Sequence, residues 1–231
     1  MPLSLGYGLG VNQSRPGAGY DSDASALFAR MAVQPSDAEK LAYSNLITAL
    51  KACGAWALRQ SYVSLWSHTA QAALLNLKGT SFTPSIAGDA PTFVVNQGYS
   101  TDGSNDSIST GWACTDAPQD AVSVDFWFHN SAASAVLPTG NGTNTRFNPR
   151  TSGTDFPSGR LNGGVTANGT VASGAGLSGM QRTSSTILQY WKDGAQVGTD
   201  VISASSAPTS APLLLGANGA AFVANRFGFM R

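Results

Sequence analysis

Two periodicities divide the chain. From Asp21 to Leu77 the sequence is rich in Ala and Leu, almost free of Gly, and repeats its apolar positions at three- and four-residue steps. Within this stretch Ala38, Leu41, Ala42, Leu46, Ala49, Leu50 and Cys53 mark one face of a helix. Its start is written in Ser36-Asp37-Ala38-Glu39, where the Ser36 hydroxyl can cap the Glu39 amide while the Glu39 carboxylate reaches back to the Ser36 amide. Lys51 in the last turn and Gly54 just beyond it close the helix. A shorter helix is expected over Ala24 to Met31, capped by Ser22 or Asp23, and another over Thr69 to Asn76. Trp56, Tyr62 and Trp66 between them read as residues that pack helices onto a sheet.

After Lys78 the helical period disappears, and short apolar runs alternate with turns rich in Gly, Ser, Thr and Asn. Val122, Val124, Phe126 and Phe128 alternate with polar or bulky neighbours up to His129, as a half-buried strand requires. Asp193-Gly194 stands between two strand-like runs, Ser185 to Lys192 and Ala195 to Thr199, and suits a two-residue hairpin turn. Further strands are expected at Thr92 to Val95, Ser107 to Thr110, Arg160 to Val165, Pro212 to Gly216 and Phe222 to Met230. Ser131 to Gly159 and Gly163 to Gly179 lack periodic apolar residues and read as long loops or irregular strands. Many strands without intervening helices imply packed antiparallel sheets, so the fold expected is mainly β: an antiparallel jelly-roll β-sandwich behind an N-terminal helical segment.

Three stretches carry a resemblance to a known superfamily. They are Pro91-Thr92-Phe93 running to Gln97-Gly98-Tyr99-Ser100-Thr101-Asp102-Gly103, the strand through Phe126-Trp127-Phe128, and the hairpin from Tyr190 to Thr199 with Leu213-Leu214-Leu215-Gly216 beyond it. Their order resembles laminin G and concanavalin A-like jelly-roll domains, in the versions attached to tailed-phage virion proteins, and the helical lead-in extends the likeness over roughly Ala24 to Phe229. The resemblance implies a virion component, a tail or head fibre or another part exposed on the particle, in contact with other virion subunits, with copies of itself and with a host surface glycan. Chains of this kind often continue into a final helix, whereas this sequence stops at Arg231.

The parts expected are a Gly-rich arm at 1–20, a helical segment at 21–77 and a sandwich at 78–231. The arm holds Gly6, Gly8, Gly10, Gly17 and Gly19, too many to build a core, and is expected to be disordered or to extend onto another subunit.

Composition narrows the chemistry. Charged residues are 11% of the chain and 13 bases balance 13 acids, so the surface is polar without being ionic and carries no footprint for nucleic acid. No apolar run is long enough to cross a membrane, and Met1 to Tyr20 lacks the pattern of a secretory leader, so neither membrane insertion nor secretion by that route is expected. Glu39 is the only Glu and lies in a helix start, whereas glycosidases of the concanavalin type need two on one strand, so no enzyme is expected. Asp116, Asp120 and Asp125 are the residual candidates for a carboxylate pair, weaker than their reading as loop residues. Calcium is the one cofactor with a candidate site, at Asp102, Asn105 and Asp106, whose oxygens suit that ion but lack a distal Glu. Glycan binding would need an exposed ring face beside polar groups, for which Tyr99, Trp112 and Trp191 are the candidates. A stand-alone carbohydrate-binding module is the alternative to a virion role. Cys53 and Cys114 read as two buried free thiols.

Overall fold

The computed structural model describes residues 19–102, 104–128, 139–140, 144–151, 154–218, 221–222 and 226–230. The arm at 1–18 and His129 lie outside these residues.

Among the described residues four helices come first: α1 (Ser22–Phe28), α2 (Asp37–Ala52), α3 (Ala55–Leu58) and α4 (Ala70–Ala73). The capping box at Ser36 and Glu39 forms as expected, with Ser36 N donating to Glu39 Oε2 at 2.8 Å. Gly54 takes φ 75°, the left-handed conformation that lets the chain leave α2 and start α3 at once. The cap of α1 is Asp21, whose carboxylate accepts from Asp23 N at 2.9 Å, rather than Ser22 or Asp23. The expected helix at 69–76 is only the turn Ala70–Ala73, because Asn76 turns away to satisfy the backbone of Tyr62 and Lys78.

The buried side of α2 is only in part the expected one. Ser44, Ile47 and Leu50 face inward, with Tyr43 and Leu46 partly covered, while Ala38, Leu41, Ala42 and Ala49 are exposed. An alanine stripe removes little apolar area from water, so docking is decided by the larger side chains beside it. They join Leu27, Phe28, Met31, Tyr62 and Leu77 in a small helical core.

Among the described residues sixteen strands follow: β1 (Ser85–Gly88), β2 (Thr92–Val94), β3 (Gly98–Ser100), β4 (Asp106–Ala113), β5 (Val122–Phe128), β6 (Thr139–Gly140), β7 (Thr145–Asn148), β8 (Ser158–Leu161), β9 (Thr166–Ala167), β10 (Gly176–Arg182), β11 (Ile187–Lys192), β12 (Ala195–Ile202), β13 (Pro212–Leu215), β14 (Ala217–Asn218), β15 (Ala221–Phe222) and β16 (Arg226–Met230). They form two seven-stranded antiparallel sheets, ordered β1-β4-β13-β6-β7-β8-β9 and β12-β11-β10-β5-β16-β3-β2, with β14 and β15 as a separate pair. The two sheets share one core, where Phe147 of the first sheet meets Phe126, Phe128 and Tyr190 of the second at ring separations of 6.2, 6.3 and 6.5 Å. Asp193 and Gly194 both take positive φ, 49° and 87°, as the hairpin turn between β11 and β12 demands.

Both stretches read as long loops or irregular strands contain paired strands. β6, β7 and the first half of β8 lie within the first, and β9 and most of β10 within the second. The chain is therefore mainly β, as expected, but more regular than its Gly and Ser content suggested.

The helical segment is bonded into the sheets. Val63, Leu65 and Ala73 belong to the core of the two sheets, and Trp66 meets the outward-facing Trp127 of β5 edge to face at 5.7 Å.

Candidate functional site

The three candidate rings occupy different environments. Tyr99 on β3 is 3% exposed and its hydroxyl donates to the Ala70 carbonyl at 2.8 Å, tying the sheet to α4. Burial pushes its phenol up to about 12. In this structure a ring so enclosed presents no face to solvent. Trp112 at the end of β4 is also buried, and its indole Nε1 donates to Gln60 Oε1 at 2.7 Å, but one side of it lines a cleft described below.

Trp191 differs. On β11 the adjacent Tyr190 points inward, fully buried, with its hydroxyl 2.8 Å from the Thr166 carbonyl, so Trp191 must point outward and is half-buried. Across the sheet Trp191 stands in one row with Gly179 of β10 and Asp125 of β5. A Cβ at position 179 would collide with the Asp125 carboxylate, so the missing side chain is what lets Asp125 lie across the sheet face. From there Asp125 accepts from Arg59 at 2.6 Å. The row thus combines an aromatic surface with a guanidinium–carboxylate pair.

The candidate calcium loop is closed on itself. The Asp106 carboxylate is buried and accepts from the Asp102 amide at 3.0 and 3.1 Å, and Asp102 in turn accepts from Ser104 N at 2.7 Å. Burial, and then the neighbouring Asp102, raise the Asp106 carboxyl above its ordinary value. Asn105 bonds Asp89 instead of facing Asp106. Among the described residues no three His, Cys, Asp or Glu side chains gather as a metal site. Asp116 and Asp125 do not converge either: Asp116 caps Ala113 N at 2.7 Å, and Asp125 is held by Arg59.

A cleft of about 490 Å³ lies where the helical segment meets both sheets. Its walls are Val122, Val124 and Phe126 of β5, Trp112, Leu213, and the stretch Leu58 to Ser61 that follows α3. Two polar struts brace it: Arg59 reaches Asp125 in the second sheet, and Gln60 accepts from Trp112 in the first. Arg182 at the end of β10 also lines it, 0% exposed, with Nε donating to the Leu161 carbonyl and Nη1 to the Ser203 carbonyl, both at 2.7 Å. Ser61 Oγ is buried in this wall without a hydrogen-bond partner. Arg59, Gln60 and Arg182 were not singled out by sequence reasoning. The only signal for the first two is a charged and polar pair interrupting the apolar stretch from Trp56 to Trp66.

The cysteines are both free, but only Cys114 is buried; Cys53, at the end of α2, is exposed, contrary to expectation. Burial pushes the Cys114 thiol up to about 11 against a hydrogen bond to Thr145 Oγ1 at 2.7 Å, so at pH 8 it is both covered and protonated. Titration with a chromogenic disulfide should therefore count one fast thiol in the native protein and two in denaturant. Two fast native thiols would show that the Cys114 site opens readily.

Comparison with models of known protein families finds no match for this chain, and comparison with curated proteins finds none either.

Proposed function

We propose that this chain is a structural and adhesive component of a tailed-phage particle, in which a concanavalin-like jelly-roll sandwich is displayed from an N-terminal helical base. The observation that carries this reading is the joint between the two parts. Val63, Leu65 and Ala73 of the base pack within the core of both sheets, and Arg59 and Gln60 bond to one sheet each. A display domain anchored through its N-terminal part has to transmit load and hold its orientation, and a shared core does both better than a flexible linker. The ring of phenylalanines between two antiparallel sheets supports the sandwich, and the neighbouring of β4 with β13 and of β5 with β16 supports jelly-roll connectivity. The polar surface with few charges suits a protein surrounded by copies of itself and by other virion subunits.

Immunogold labelling of particles from the parent lysate, with antibody raised against the purified chain, should decorate one fixed position on the particle surface. Label confined to the soluble fraction would overturn the reading.

A second reading, a carbohydrate-binding module, is favoured by Trp191, the one candidate ring that faces outward, in a row with Asp125 and Arg59. A glycan that raises the melting temperature of the native chain and not of Trp191→Ala would establish it. No shift across a broad glycan panel would leave the sandwich a purely structural unit.

A further inference from the structure

The cleft lies beside a strand edge that has no neighbour among the described residues. On one flank β10 pairs with β5 along its whole length, from Val122 to Phe128. On the other, β16 pairs only as far as Phe126, opposite Met230, so among the described residues no strand continues beside Val122 to Asp125. Alternate backbone amides of an antiparallel strand point to its two sides, so this stretch of β5, whose Val122, Ser123 and Val124 line the cleft, has backbone groups on the flank away from β10 that no described strand pairs. The surroundings ask for an occupant as well. Leu58 stands on the rim at 85% exposure, and the Ser61 hydroxyl, 9% exposed at residue level, has no partner in the wall. The floor formed by Val122, Val124, Phe126 and Leu213 is apolar.

The sequence contains a segment of matching character. Leu3, Leu5, Tyr7, Leu9 and Val11 alternate with Ser4, Gly6, Gly8 and Gly10, a strict period of two with one apolar face and one face almost without side chains. We infer that residues 3–11 of the N-terminal arm dock in this cleft as an added strand on β5, with the apolar face on the cleft floor and the glycine face beneath Arg59 and Gln60. This deepens the assembly reading, on which it rests for the role of the arm. Strand addition of this kind draws its affinity from main-chain hydrogen bonds and its register from pockets for alternate side chains. The arm also leaves the helical segment in the right neighbourhood. Asp21 is held by Lys51 at 2.7 Å, the Lys51 ammonium lies 5.9 Å from the Trp56 ring centre, and Trp56 shares α3 with Leu58 on the cleft rim. The 18 residues before Gly19 span up to about 60 Å when extended, enough to reach the cleft of the same copy or of a neighbour.

Hydrogen exchange on the full chain tests the docking. Peptides covering 122–126 should be protected in the wild-type protein and should exchange at least ten times faster in Leu5→Asp/Leu9→Asp, while peptides covering 187–191 stay unchanged. A synthetic peptide of residues 1–13 added to the double variant should restore the protection, which separates loss of docking from loss of folding. Equal exchange of 122–126 in the two proteins overturns the inference, and so does failure of the peptide to restore protection. Light scattering on the same samples separates the two readings: a monomer with a protected edge keeps the docking, within one copy, and removes arm-mediated assembly. An oligomer with an unprotected edge does the reverse.

Discussion

Replacing Arg182 by alanine is expected to lower the free energy of unfolding by about 3–5 kcal/mol, measured by urea denaturation followed through tryptophan fluorescence. The guanidinium is fully buried at the point where β10 ends, and its bonds run to backbone oxygens: Leu161 at the end of β8 and Ser203 just after β12, each at 2.7 Å, with Ser184 further off at 3.4 Å. One side chain thus holds together a strand of the first sheet and an edge strand of the second. Burial draws the Arg182 pKa down from its ordinary value, against the pull of the nearby Asp120 charge, yet an arginine stays charged at any accessible pH. Its removal strands two buried carbonyls and opens a cavity, and both effects are large. Arg182→Met keeps much of the stem volume while losing every donor, so it should recover the cavity part of the cost and not the carbonyl part. If alanine costs less than about 1 kcal/mol, water or a shifted neighbour satisfies the carbonyls and the side chain is not the tie inferred here.

Why Arg182 escaped sequence reasoning is visible in its strand. The inward positions of β10 are Ser178, Met180 and Arg182, and the outward ones are Leu177, Gly179 and Gln181, so the strand carries no apolar alternation to read. Its place in the sheet is decided by partners far away in sequence, β5 on one side and β11 on the other. Where local chemistry is self-sufficient the outcome was legible. The capping box of α2, the inward row of β5 and the Asp193-Gly194 turn each depend on residues within a few positions of one another, and all three form as their spacing implies. The buried side of α2 was legible only in part, because alanines count as apolar in a pattern but contribute little when larger neighbours compete for the interface.

The candidate site divides along the same line. The opposite orientations of Tyr190 and Trp191 follow from adjacency in a strand and needed no tertiary knowledge. Trp112, a candidate ring for glycan binding, is a wall of a cleft made by segments more than fifty residues apart, with Gln60 holding its indole. No spacing rule joins Leu58, Val122 and Leu213, and the strand edge they surround is a property of the register between β5 and β16.

Phe147→Ala should cost about 3–5 kcal/mol, against under about 0.5 kcal/mol for an exposed loop residue, and so decides between the two readings of the segment around it. In the sequence Phe147 sits among Asn, Thr, Gly and Arg, where a single aromatic residue gives no period. In the fold it is 1% exposed and lies among Phe126, Phe128 and Tyr190, all within 6.5 Å between ring centres. Its strand β7 pairs with β8 through Gly159, where a Cβ would strike the Arg146 carbonyl, so a glycine-rich partner is required for the two backbones to close over the ring. Truncation to alanine leaves a void bounded by rings of the second sheet, and because those rings are fixed by their own strands the void cannot collapse fully. Phe147→Leu, which refills most of the space, should return more than half of the loss. Equal and small effects of both substitutions, read from urea midpoints at unchanged slope, would mean that β7 is not part of the core and that the two sheets meet without it.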